Sequence, residues 1–303
     1  MTFSTITESV YVVIGGSFPK CNTIVIIADE VVVIDPGCPI EDLRGFLMTR
    51  DLDLRKIDTV ILSHIHPDHI IHTMRLNRLS GCRIAANEIT APLFNDKEEM
   101  KNFLGLSKGH PIREPWEKLV NERMYGALDE GRINDELKNE ETIGLGDITL
   151  KTLYTPGHLP DHMCIEIIEP NIIFGSDLDL TEFGPFYGHP NSSIQDFKES
   201  IRKVQHGKYK GLISGHLKNP VIENYNEKLT AYSRQIDMRE DMVLAAILEG
   251  ASTISEITEH PIIYPSLLNP IFLQFETWMI EHHVTSLIDR KLIKEDSGKL
   301  QAV

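Results

Sequence analysis

Four side chains able to hold a divalent metal ion fall within six residues, in the run His64-Ile65-His66-Pro67-Asp68-His69. Neutral imidazole and carboxylate are the nitrogen and oxygen donors that zinc and similar ions take. The run starts where the apolar stretch Thr59 to Leu62 ends, and Pro67 suits a tight turn or the first turn of a helix. His64 and His66 can then face one point while Asp68 and His69 face another. Such a cluster is costly to bury unless something pairs with it, and a metal ion does that.

More candidate ligands stand at other strand-to-loop junctions. His158 follows Tyr154-Thr155-Pro156-Gly157, Asp177 follows Ile172-Ile173-Phe174-Gly175-Ser176, and His216 follows Leu212-Ile213-Ser214-Gly215. If the strands are neighbours, these side chains converge on one edge of the sheets.

The elements that must position them are legible as runs. Val10 to Ile14, Thr23 to Ala28 and Val31 to Ile34 are β-branched stretches broken by Gly, Pro, Asn or Asp. Val31 to Ile34 suits a strand buried on both faces, and Asp35-Pro36-Gly37 ends it with turn chemistry. Ile40 to Arg50 reads as a helix. From about 87 to 140 the chain turns charged and helix-friendly, with breaks at Pro92, Gly105, Gly109, Pro111 and Pro115, which predicts a helical insertion. Strands return at Ile148 to Tyr154, Cys164 to Ile168 and Ile172 to Phe174. Ile194, Phe197, Ile201 and Val204 have helical spacing. Asn226 to Leu248, Ser252 to Glu259 and Leu267 to Arg290 read as helices before a short polar tail. The expected division is a hydrolase domain over 1–222 and a small helical unit over 223–303.

The ordered motifs resemble those of the metallo-β-lactamase superfamily. They are H-x-H-x-D-H at His64 to His69, then Thr155-Pro156-Gly157-His158, Gly175-Ser176-Asp177 and Ser214-Gly215-His216, with Asn22-Thr23 and Val31 to Gly37 before them. The resemblance implies an α+β fold, a four-layer αββα sandwich, and two metal sites. His64, His66 and His158 would bind the first ion, Asp68, His69 and His216 the second, and Asp177 would bridge them. The C-terminal stretches Met242 to Gly250, Ser252 to His260 and His282 to Glu295 resemble the winged-helix-like tail of one branch.

Two divalent cations, zinc by default with iron or manganese accepted by the same donors, would supply a hydroxide nucleophile near neutral pH, since coordination lowers the pKa of water from ~15.7 toward ~7. Asp68 would orient it and take its proton. The expected activity is hydrolysis of a small acyl substrate, a thioester, lactone or ester. A phosphodiesterase or endoribonuclease is the alternative enzyme, and a metal-sensing nucleic-acid-binding regulator the alternative of another class. No G-x-S-x-G elbow supports a serine nucleophile. Ile70, Ile71 and His72 stand where many relatives place small residues, which bears on the turn and the pocket.

Other residues carry weaker signals. Tyr187, in Gly184-Pro185-Phe186-Tyr187-Gly188-His189, is a candidate catalytic donor to a developing oxyanion. His162 and Asp161 are candidates to orient ligands. His189 has a smaller claim, and His72, His110, His206, His260, His282 and His283 read as ordinary core or surface histidines. Phe94, Met100, Phe103, Leu104, Trp116 and Met124 could line a groove or simply pack the insertion.

The net charge of −15 opposes broad binding to phosphate backbones. Cys21, Cys38, Cys82 and Cys164 form no C-x-x-C pair, so reduced, buried thiols are expected. No run suits a membrane helix or signal peptide. A cytoplasmic protein with a small-molecule substrate, no membrane partner and a possible homodimer is the expectation.

Overall fold

The computed structural model describes residues 2–123 and 131–303. Two mixed sheets face each other. The first has the order β1 (Phe3–Thr5), β2 (Val10–Val13), β3 (Thr23–Ile27), β4 (Val31–Ile34), β5 (Thr59–Leu62), β6 (Arg83–Asn87), β7 (Asp135–Leu137). It is antiparallel from β1 to β4 and parallel from β4 to β7. The second comprises β8 (Thr142–Leu145), β9 (Ile148–Tyr154), β10 (Met163–Ile167), β11 (Ile172–Ser176), β12 (Gly211–Ser214) and β13 (Val221–Ile222), adjacent in that order. Only β11 and β12 run parallel among its pairs.

Strand alternation explains the layering. Val10, Val12, Ile24, Ile26, Val32 and Ile34 point inward and meet Leu150, Ile165, Ile167 and Phe174 of the other sheet. The intervening residues Tyr11, Val13, Val25 and Val33 point outward, onto Leu43, Phe46 and Leu47 of α1 (Ile40–Met48). Because both faces are covered, these strands read as unbroken apolar runs. After α2 (Pro67–Ile70) and α3 (Thr73–Ser80), the insertion supplies α4 (Thr90–Asn95), α5 (Lys97–Phe103) and α6 (Arg113–Arg123) to that outer layer. Its last residues form β7, a short strand with no signal in its charged residues. On the far side α7 (Ile194–His206) lays Phe197 and Ile201 against Ile173 and Leu212. The result is the expected αββα sandwich.

The long helix α8 (Tyr225–Leu248) packs on α7 through Leu229, Tyr232 and Ile236. After α9 (Ile254–Thr258), α10 (Pro270–Asp289) sends Ile271 and Trp278 into one outer layer and Met279 into the other. The helix thus ties the two helical layers together across the edge where the ligand candidates lie. The polar end is a hairpin, β14 (Ile293–Asp296) with β15 (Lys299–Ala302), whose Ile293 and Leu300 pack on α8 and α10. All four cysteines are free and buried, as expected. Among the described residues no helix is long and apolar enough to cross a membrane.

Candidate metal centre

Every ligand candidate sits at or just past a strand end on one edge of the sandwich. His64 and His66 follow β5, Pro67 opens α2 and places Asp68 and His69 in its single turn, His158 follows β9, Asp177 follows β11 and His216 follows β12. Two glycines permit the approach. A Cβ on Gly37 would lie 1.7 Å from the Asp68 carbonyl oxygen, so the turn after β4 can press on α2 only as glycine. Gly157 has φ of +132°, and a Cβ there would meet the Phe197 backbone at 2.3 Å.

The Asp177 carboxylate lies at the centre. Its Oδ2 is 3.1 Å from His158 Nε2 and 3.7 Å from both His64 Nε2 and His66 Nδ1. Its Oδ1 is 2.8 Å from His69 Nε2 and 3.0 Å from His216 Nε2. One oxygen therefore faces each trio of ligands, and Asp68 Oδ2 stands 3.7 Å from His216 Nε2 on the second side.

The outward nitrogens of the five imidazoles settle which atoms face inward. His158 Nδ1 donates to Phe186 O at 2.8 Å and His216 Nδ1 to Lys20 O at 3.0 Å, since a carbonyl only accepts. His69 Nδ1 donates to Asp35 Oδ2 at 2.8 Å. Ser63 Oγ spends its proton on Asp35 Oδ2 at 2.6 Å and so accepts from His64 Nδ1 at 2.9 Å. His66 is held by His189. Burial pushes the His189 pKa down to about 3, so that ring is neutral. Its Nδ1 donates to Leu104 O at 3.0 Å, which leaves Nε2 to accept from His66 Nε2 at 2.9 Å.

In the neutral rings the inward nitrogens are then bare lone pairs. His64 Nε2 is buried with no hydrogen-bond partner. With both rings in the neutral form that a metal takes, His66 Nδ1 and His158 Nε2 would face each other at 2.9 Å as two acceptors. Two acceptors that close repel unless a cation draws on both, and nitrogen and oxygen donors of this kind suit a divalent ion. Burial also lowers the pKa of His64 and His66 well below the usual value, which favours the neutral form a metal needs. Within the two trios the candidate donor atoms lie within 4.8 Å of one another. The residues fit the binding of divalent metal.

The expected helpers divide. His162 donates from Nδ1 to Thr155 O at 2.9 Å and accepts the Asp177 N–H on Nε2 at 3.2 Å, so it holds the backbone of the central aspartate. Asp161 accepts from Thr90 Oγ1 at 2.9 Å, tying the insertion to the ligand loop. Tyr187 corrects the sequence reading: it is 0 % exposed, its hydroxyl meets His283 Nε2 at 2.7 Å, and it does not line the pocket. Arg239, bonded to Phe183 O and Pro185 O, fixes the same loop from α8, and with it the orientation that points the phenol into the core. Ile70 is absorbed by the outer core, and residues 70–72 do not line the pocket. Of the proposed groove residues, Leu104 and Trp116 line the cavity, Phe94 and Met100 pack in the core, Phe103 packs against that core, and Met124 lies outside the described residues.

Asp35 and His189 are the residues the sequence undervalued. Asp35 accepts from Ser63 N–H at 2.7 Å as well as from Ser63 Oγ and His69, and holds a positive φ of 50°. Its only sequence signal was a carboxylate ending a strand buried on both faces. His189 stands 123 positions from His66, so spacing could not pair them.

The family model of the metallo-beta-lactamase superfamily matches residues 17–216. The metallo-beta-lactamase fold-containing protein ST1585 of Sulfurisphaera tokodaii is 24% identical over 238 residues, covering 74% of this chain and 84% of that protein. An atrochrysone carboxyl ACP thioesterase of Aspergillus fumigatus is 26% identical over 219 residues, covering 67% of this chain and 55% of that protein. The crystal structure of metallo-beta-lactamase family protein TTHA1429 from Thermus thermophilus superposes with a TM-score of 0.76 at 16% identity, covering 99% of this chain and 100% of that one. With the fold, the ordered motifs and the inward-facing donors in agreement, the chain belongs to the metallo-β-lactamase superfamily, a family mostly of hydrolases.

Proposed function

We propose that this protein is a dinuclear metal-dependent hydrolase of small acyl substrates: thioesters, esters or lactones. The observation that carries the reading is the set of five imidazoles, each with one nitrogen tied outward and the other turned on the two oxygens of Asp177. His64, His66 and His158 would hold one ion, Asp68, His69 and His216 the other, with Asp177 between. When bound, the pair supplies Lewis acidity and an activated water near neutral pH. The chain's own residues do the rest. Asp35, Ser63, His189 and the carbonyls of Lys20 and Phe186 fix the rings, His162 fixes Asp177, and Asp68, which lines the pocket, would orient a water and take its proton.

The pocket favours acyl transfer over phosphoryl transfer. Among the described residues that line it there is no Lys or Arg, and its charged groups are Asp68, Asp177 and Asp179 beside the histidines. A nuclease must hold flanking phosphates, which calls for cations along the groove. The thioesterase named among the relatives supports the acyl reading. The test is turnover by the metal-loaded protein of acyl thioesters, esters and lactones against bis(4-nitrophenyl) phosphate and short RNA. Hydrolysis of the acyl set alone is expected; cleavage of the phosphodiesters alone overturns the proposal.

A further inference from the structure

We infer that the acyl group accepted here is apolar and uncharged at its far end, an alkyl chain or an aromatic ring. The inference rests on the acyl-hydrolase reading above and names its substrate class. A cavity of about 380 Å³ opens from His66, Asp68, Asp177 and His216, within the size range of small-molecule sites. Beyond those donors the wall turns aromatic. Phe183 and Phe186 come from the loop after β11, Trp116 and Val120 from α6, and Phe272 and Phe275 from α10.

The rings support one another, so the wall is preformed. Phe186 meets Phe275 edge-on at 5.3 Å between centroids, Phe183 meets Tyr264 at 5.0 Å, and Tyr264 stacks on Phe272 at 5.1 Å. No Lys or Arg stands among the described lining residues, so a carboxylate or phosphate at the far end of the acyl group would lose much of its water with no cation to pair it. An apolar end loses nothing. Each added methylene that reaches the wall should raise kcat/KM about fourfold. Apart from the loop after β11, Phe18 and Leu104, the apolar wall comes from α6 in the insertion and from α10 with Tyr264 in the C-terminal part.

The experiment compares acetyl, butyryl, hexanoyl, benzoyl and adipoyl thioesters with the zinc-loaded full chain. Expected is a rise of about fourfold per methylene toward hexanoyl, good turnover of benzoyl, and an adipoyl rate about 100-fold below hexanoyl. Phe272 is 36% exposed at the rim, so Phe272→Arg should fold and should narrow the adipoyl deficit at least ~10-fold. Phe275→Ala provides a second reading by flattening the chain-length dependence. Rates independent of chain length, or adipoyl equal to hexanoyl, overturn the inference. If every thioester, acetyl included, and the esters and lactones of the earlier test all resist hydrolysis, the acyl-hydrolase reading fails by itself. Calorimetry with hexanamide and the monoamide of adipic acid then decides the pocket: tighter hexanamide binding upholds it, and equal or weaker binding overturns it.

Discussion

Replacing His189 by leucine removes the acceptor of the His66 N–H and the donor to Leu104 O, and should be felt at a metal ion that His189 itself would not touch. The His189 ring takes the Nε2 proton of His66 at 2.9 Å and is itself fixed by Leu104 O at 3.0 Å. His66 is only 8% exposed, so its freed N–H finds little water. Leaving it unpaired costs about 1–3 kcal/mol. The ring can escape by moving the proton to Nδ1, but that consumes the lone pair aimed at the ion. Either way the His64, His66 and His158 half should bind its ion about 10–100-fold more weakly, the usual cost of losing such a partner. Those fold-changes correspond to about 1.4–2.7 kcal/mol, in line with the hydrogen-bond figure. The assay is equilibrium competition with a chelator of known affinity, counting ions per chain. His189→Gln, whose amide can accept from His66 and donate to Leu104 O, should stay within about threefold of the parent. A folded His189→Leu protein that keeps the parent affinity would refute the reasoning.

Other outcomes are expected. Burial raises the Asp161 pKa to about 6, against the hydrogen bond from Thr90, and its Oδ1 has no partner. Its folded pKa lies above the unfolded value, so the folded chain holds the proton more tightly and loses stability as pH rises from about 4 to 6. In metal-free protein, Asp161→Asn should therefore be more stable than the parent at pH 7 by up to about 3 kcal/mol, and equal to it at pH 3.5, by denaturant titration; a pH-independent difference contradicts this. Glu276, 0% exposed, accepts the N–H groups of Ile262, Ile263 and Tyr264 at 2.9 to 3.1 Å. Glu276→Gln turns a donor onto at least one of them and should cost about 1.5–3 kcal/mol in thermal unfolding, with a larger loss of activity on long acyl substrates than on acetyl as Tyr264 loosens. Tyr187→Phe should leave the metal count and turnover unchanged and cost only about 1 kcal/mol of stability, since its hydroxyl bonds His283 rather than substrate; a selective loss of kcat argues otherwise.

The sequence exposed the parts of the molecule where chemistry and periodicity coincide. β5 and the H-x-H-x-D-H run were readable because an apolar strand stops abruptly at polar donors, and α7 because Ile194, Phe197, Ile201 and Val204 keep helical spacing. β7 was hidden, since its three residues Asp135, Glu136 and Leu137 carry the charge of the insertion around them and owe their extended form to pairing with β6. The terminal hairpin was equally opaque: its polar residues alternate with Ile293 and Leu300, which pack on α8 and α10. Tyr187 shows the limit of proximity in sequence. It lies ten positions after Asp177 but turns into the core, while Phe186 and His189, on either side of it, face the pocket. The pocket itself was only half visible, because Phe272 and Phe275 belong to a helix whose place over the site depends on α10 spanning both outer layers.

Elemental analysis of the purified chain beside Asp177→Ala bears most directly on the central claim. Two divalent ions per parent chain, falling to one or none in the variant with the fold intact, are the expected counts. A parent that never holds more than one ion under saturating metal, or a variant that keeps two, contradicts a shared site centred on that carboxylate.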